Sequence, residues 1–198
     1  MKVIVKNSKV KMIYPVYVYG TSVLRKKAKE IDKNYDDLDK LIEDMYETMK
    51  HAEGVGLAAP QIGKALRLFI VDAADIDKED EEYVEDFKKT FINPVILEQS
   101  GDEWTFNEGC LSIPNIREDV NRKEKIRIQY YDPEWNFHDE KYDGIKARIV
   151  QHEYDHLDGV MFVDKINPLR KRLLKGQLSA ISKGKVDVDY KIKFPRKK

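Results

Sequence analysis

The sequence predicts an α+β domain in which antiparallel sheets pack around one central, metal-binding helix. Three observations carry that expectation. Most strand-like segments follow one another through hairpin turns rather than through long helical crossovers. Helical periodicity is confined to a few segments. One of these, around QHEYDHLDG at 151–159, places His152 and His156 four apart with Glu153 between them, the HExxH arrangement that grips a metal from one helical face.

Read in order, Tyr14 to Tyr19 (YPVYVY) is β-branched and aromatic and predicts a strand. From Asp36 to Ala52 the residues Leu38, Leu41, Ile42, Met45 and Met49 recur at helical spacing, so an amphipathic helix is expected, ending near Gly54. Leu66 to Val71 reads as a buried strand. The run DKEDEEYVED at 77–86 holds seven acids and predicts an acidic surface insertion within 73–90. Phe91 to Leu97 and Lys125 to Tyr131 are further strands. The second turns through DPEWN into Phe137 to Tyr142, a hairpin with Pro and Asn in its loop. Asp143 is placed to cap the metal helix, which runs to about Asp158 and stops at Gly159. Asn167 and Pro168 open a helix expected to end by Lys175, before Gly176. Val186, Val188, Tyr190, Ile192 and Phe194 alternate with polar residues and predict a half-buried closing strand.

Composition bounds the classes. The 198 residues suit a single catalytic domain over 1–198, with 1–11 as an N-terminal extension, Met12 as an alternative start, and 167–198 as a basic helix plus strand. Hydrophobic residues at 41% argue for a folded globule rather than disorder. Lys+Arg equal Asp+Glu at 36 each, so no global charge calls for a polyanionic partner, and DNA is not expected. A single cysteine, Cys110, excludes an intrachain disulfide and favours a reducing compartment. The N-terminus has no apolar signal region and no run approaches the roughly 20 apolar residues of a membrane span, so a cytoplasmic protein without a membrane partner is expected.

On the metal helix Ile145, Ile149, His152 and His156 share one face, while Ala147, Val150, Tyr154 and Leu157 share the face expected to enter the core. The imidazoles therefore share a stripe with two isoleucines, which predicts an apolar wall beside the metal. Glu153 lies about 100° round from His152, a poor place for a third ligand but within reach of a water beside the ion. The plainer alternative is a core helix with two satisfied histidines. Catalytic metal sites usually take three protein ligands, and no His follows His156. Upstream stand His51, His138 and Cys110. Cys110 sits in EGCLSIP, a turn that ends a strand-like stretch; a thiolate is a strong ligand, but a free cysteine is more often a small buried hydrophobe. Spacing alone leaves the third ligand open. In EGVGLAAPQIG at 53–63, Gly54 and Gly56 permit close backbone approach and Gln61 is a lone amide among apolar neighbours; an ordinary helix end and tight turn would read the same way.

Taken together, GVGLAAPQ, EGCLS and QHEYDHLDG, in that order, resemble the three signature motifs of the peptide deformylases, and YGTSVLRKKAKEI and INPVI resemble the same family. The resemblance covers most of residues 12 to 165. It implies removal of the N-formyl group from the formyl-methionine of newly made polypeptides, with release of formate. It implies Cys110, His152 and His156 as ligands of one divalent ion, Fe2+ in the cell, with Zn2+, Ni2+ and Co2+ able to take the site. Glu153 is then the general base, and Gln61 and the Leu111 backbone N–H hold the oxyanion. Gly54, Val55, Gly56, Gly109, Ile145 and Ile149 are expected to bind substrate. Eleven Lys/Arg against two acids in 170–198 read as a solvated face, or as a ribosome contact near the emerging chain. Two rivals are a zincin-type endopeptidase, which would need a ligand after the helix, and a non-catalytic metal-stabilised module, which leaves Glu153 and Gln61 without work.

Overall fold

The computed structural model describes residues 11–73 and 87–195; the acidic run 77–86 and the ten N-terminal residues lie outside them. Five antiparallel strands form one sheet in the order β2-β3-β4-β5-β6: β2 (Gly56–Ala58), β3 (Leu68–Asp72), β4 (Lys88–Cys110), β5 (Ile113–Tyr131) and β6 (Phe137–Asp143). A separate parallel pair joins β1 (Val16–Tyr17) to β7 (Ile192–Lys193). The described fold also holds four α-helices, α1 (Leu38–His51), α2 (Gly144–Leu157), α3 (Pro168–Leu173) and α4 (Lys175–Ser182), and three short 3-10 turns.

Helix α2 sits in the middle. Ala147, Val150 and Leu157 are fully buried among Phe69, Phe91, Ile128 and Tyr130 of the sheet, the face that the apolar spacing assigned to the core. Phe69 stacks on Phe91 with ring centroids 4.5 Å apart. Helix α1 presents Leu38, Leu41, Ile42, Met45 and Met49 to a second cluster with Leu57, Leu68 and Ile70. A third cluster gathers Val18, Leu24, Ile113, Phe162, Leu178 and Ile181. Asp132 shapes the expected hairpin, its carboxylate accepting from the Asn136 N–H at 2.8 Å.

Several elements differ from expectation. The strand expected over Tyr14 to Tyr19 reduces to two ladder residues. Its neighbours bond elsewhere: the Tyr14 N–H donates to Thr48 Oγ1 at 3.0 Å and the Tyr19 N–H to the Ser112 carbonyl at 2.8 Å. Asp143 occupies the N-cap of α2 in extended conformation, yet its side chain makes no capping bond. The helix opened by Asn167 and Pro168 ends at Leu173, close to its expected end, but Gly176 does not lie beyond helical structure: a second helix, α4, starts at Lys175 and runs through it, held by buried Leu178 and Ile181. The segment Val186–Phe194 keeps its alternation of burial through Ile192, but only Ile192–Lys193 enter a ladder. The largest difference is a long ribbon. Strands β4 and β5 pair from Ile92↔Tyr131 to Cys110↔Ile113, with register shifts that bend it over α2.

Candidate metal centre

The ribbon and the central helix meet where the motifs meet. Cys110 is the last residue of β4, and His152 and His156 stand on consecutive turns of α2. Their ligand atoms all lie within 4.8 Å of one another, the single such His/Cys/Asp/Glu group among the described residues. Cys110 Sγ is 3.3 Å from His156 Nε2, and the two imidazole centroids are 5.3 Å apart at 75°. Donors bonded tetrahedrally to one small dication stand roughly 3.3–3.8 Å apart, so this set fits such an ion after small adjustments. The other histidines stand outside the ligand group: His138 Nε2 lies 2.8 Å from Asp132 and its ring stacks on Tyr130, while His51 is exposed at the end of α1, where it borders the cavity over the site. Of the upstream candidates, Cys110 is the one that joins the two histidines in such a group among the described residues.

Behind the ligands stands a buried charge network. His152 Nδ1 lies 2.8 Å from Glu108 Oε2, which assigns the proton to Nδ1 and turns Nε2 toward the site. Glu108 also accepts from Arg122 Nε at 2.6 Å, Arg122 Nη2 at 2.9 Å and Arg148 Nη1 at 3.0 Å. Arg122 reaches on to Asp155 at 2.6 Å. Burial works to raise the Glu108 carboxyl, but the hydrogen bonds from Arg122 and His152 outweigh it and hold it below the ordinary range. Glu108 thus stays charged and fixes the ring of His152.

Glu153 is 4% exposed, and its Oε2 has no hydrogen-bond partner among the described residues. An orphaned buried carboxylate oxygen is costly, and a water held beside a metal would satisfy it. Burial pushes this carboxyl up to about 7; a dication alongside would pull the other way. Gly56 is small because Glu153 is there: a Cβ at Gly56 would stand 2.5 Å from Glu153 Oε1. Close approach, not positive φ, is what Gly54 and Gly56 supply. Gln61 is oriented by its own loop. Its Oε1 accepts from the Ala58 N–H at 2.7 Å, so Nε2 points at Ser112 Oγ (3.3 Å) and Cys110 Sγ (3.5 Å).

A cavity of about 680 Å³ opens over these groups. Gly54, Val55, Gly56, Gly109, Ile145 and Ile149 line it, together with Gln61, Leu111, His152 and Glu153. Every residue expected at the site on the substrate side therefore borders one space. Glu108, Arg122, Ser112 and Tyr190 were not among the residues that the sequence marked for the site. Glu108 had a signal, being a carboxylate two residues before a ligand, where a metal-binding His needs an outer partner. Tyr190, whose hydroxyl donates to the Leu111 carbonyl at 2.9 Å, carried only the half-buried alternation of its segment.

Comparison with known proteins agrees with this geometry. The polypeptide deformylase family model matches residues 13–172. The peptide deformylase of Christiangramia forsetii is 51% identical over 193 residues, spanning 94% of this chain and 98% of that protein. That of Cytophaga hutchinsonii is 52% identical over 187 residues, spanning 94% and 100%. Among solved structures, the Thermotoga maritima peptide deformylase superposes with a TM-score of 0.70 at 40% identity, covering 79% of this chain and 99% of that one. The Legionella pneumophila enzyme gives 0.75 at 36%, covering 86% and 96%. With its motifs assembled around one Cys-His-His set, the chain belongs to the peptide deformylases, metal-dependent hydrolases that remove the N-formyl group from the formyl-methionine of newly made polypeptides and release formate.

Proposed function

We propose that the chain works as one catalytic domain in which Cys110, His152 and His156 hold a single divalent ion, Fe2+ in the cell, with Zn2+, Ni2+ and Co2+ able to occupy the same ligands. The observation that carries this reading is the convergence of those three ligand atoms within 4.8 Å, beside a buried carboxylate oxygen that has no partner among the described residues. When bound, such an ion acts as a Lewis acid and lowers the pKa of a coordinated water.

Glu153 is the general base and then the general acid. It takes the proton of the attacking water as oxygen adds to the formyl carbon. As the C–N bond breaks, it returns that proton to the leaving amine, and formate departs. Gln61 Nε2 and the Leu111 N–H face the charge that develops on the formyl oxygen; removing one such donor typically costs about 10²–10³ in kcat. Support for Gln61 comes from the bond that turns its amide inward, and for Leu111 from its place directly after a ligand. Ile145, Ile149 and Val55 offer an apolar wall for the methionine side chain, and the Gly54–Gly56 edge, with Gly109 opposite, admits an extended peptide backbone.

The partner of this site is a nascent formyl-Met polypeptide, met in the cytoplasm; no described helix is long and apolar enough to cross a membrane. The basic C-terminal region supports a solvated face better than a ribosome contact. Arg170 pairs with Glu118 at 2.6 Å and Lys171 with Asp164 at 2.7 Å, so part of its charge is already answered.

Formate release from a formyl-Met peptide by the purified protein, run beside elemental analysis, tests the reading. Glu153→Gln is expected to keep its metal and lose about 10²–10⁴ in turnover. A variant that keeps both metal and turnover would remove Glu153 from its role. A protein that binds metal and releases no formate would return the non-catalytic module as the better account.

A further inference from the structure

We propose that Tyr190, on the C-terminal arm, is a positioning residue that holds the Leu111–Ser112 turn and thereby aims the Leu111 N–H at the reaction site. The proposal rests on the reading in which that N–H holds the oxyanion. It concerns a part of the chain beyond the stretch that the family model matches, which ends at residue 172.

The turn needs an outside hold. The β4–β5 ladder closes at Cys110↔Ile113, leaving Leu111 and Ser112 as the two unpaired turn residues. Two-residue hairpins favour turn types with a residue at positive φ, and neither Leu111 nor Ser112 has one. A register shift at Gly109/Cys110 loosens the ladder immediately before the turn. Both turn carbonyls are instead bonded by distant segments. The Tyr190 hydroxyl donates to the Leu111 carbonyl at 2.9 Å, and the Tyr19 N–H to the Ser112 carbonyl at 2.8 Å. From inside, Gln61 Nε2 reaches Ser112 Oγ at 3.3 Å.

The arm that carries Tyr190 is itself fixed at several points. Lys191 and Lys193 accept through their carbonyls from the N–H groups of Val16 and Val18, at 2.8 and 3.0 Å. Asn115 Nδ2, from the bulge that follows the turn, donates to the Asp187 carbonyl at 3.1 Å. Val186 and Ile192 pack on the cluster that holds Ile113 and Val120. Four consecutive arm residues, Asp187 to Tyr190, border the cavity itself. A phenol so anchored, bonded to the residue after a ligand, is built into the wall of the site rather than trailing from the fold.

Tyr190→Phe in the full-length, metal-loaded protein removes the hydroxyl and keeps the ring. We expect kcat on a formyl-Met peptide to fall about tenfold, a fraction of what outright loss of an oxyanion donor costs. KM, metal content and melting temperature stay unchanged, and the Leu111 amide proton exchanges faster with solvent. Unaltered Leu111 exchange overturns the proposal, whatever happens to kcat. So does a loss of kcat that tracks a loss of metal or of melting temperature, because the hydroxyl would then serve the fold. Faster exchange with unchanged kcat upholds the positioning and removes Leu111 from the oxyanion site, so failure of the functional reading is read separately.

Discussion

Glu108→Gln is the substitution with the most to break. The native carboxylate is buried at 4% exposure and takes hydrogen bonds from Arg122 Nε, Arg122 Nη2, Arg148 Nη1 and His152 Nδ1, all between 2.6 and 3.0 Å. An amide of the same shape keeps one acceptor oxygen but removes the negative charge that two buried guanidiniums face. It also turns an N–H₂ group toward donors. Asp155 remains for Arg122; among the bonds to Arg148 only backbone carbonyls, of Val120 and Trp104, remain. Taking one partner out of a buried ion pair costs about 3–5 kcal/mol. For a chain of this length each kcal/mol moves Tm by roughly 2–4 °C, so a fall of roughly 6–20 °C is expected in metal-free protein. His152 also loses the group that fixes its tautomer, which should weaken metal binding by about 10–100-fold. Thermal unfolding in chelator reads the first effect, and competition against a chromophoric chelator reads the second. An unchanged Tm together with unchanged affinity would refute the claim that Glu108 links the arginines to the metal helix.

Gly56→Ala should abolish most turnover while leaving the fold intact, since its Cβ would meet the Glu153 carboxylate at 2.5 Å and displace it; a crystal structure with Glu153 unmoved and full kcat would contradict this. Asp164 ties the loop after α2 to Arg25 and Lys171. Burial works to raise its carboxyl, but hydrogen bonds from Arg25 and Lys171 lower it from 3.8 to about 2. Its contribution is therefore present above about pH 4 and lost as pH falls through about 2. The Tm gap between wild type and Asp164→Asn should narrow over that window, and a gap independent of pH would count against it. With Fe2+ bound, a thiolate site is open to oxidation, so anaerobic preparation is expected to raise specific activity; equal activity in air would argue against iron.

What was legible in the sequence was whatever a single element carries. The metal helix declared itself because its apolar faces and its histidines share one period, and the structure places Ile149, His152 and Glu153 around the same cavity. Helix α1 was legible for the same reason. The third ligand was not, because Cys110 reaches the histidines through pairing of β4 with β5, and no local pattern encodes that contact. Most of the β4–β5 ribbon was also hidden. From Glu98 to Asn107 it is mostly exposed, and Gly101 at φ 80° adds a bulge, so period-two hydrophobicity is absent where the strands run longest. Gly176 misled for a physical reason as well: a glycine stops a helix only if nothing holds the next turn, and Leu178 and Ile181 do. The network of Glu108, Arg122 and Arg148 joins residues up to 40 apart in sequence and could be read only from the fold.

The most direct test is diffraction from metal-loaded crystals, recorded at the absorption edge of the ion. One anomalous peak is expected, bonded at about 2.3 Å to Cys110 Sγ and about 2.0–2.1 Å to the two imidazole nitrogens if the ion is zinc, with Glu153 Oε2 facing a coordinated water. A peak whose protein ligands leave out Cys110, or include His51 or another group in its place, would contradict the account.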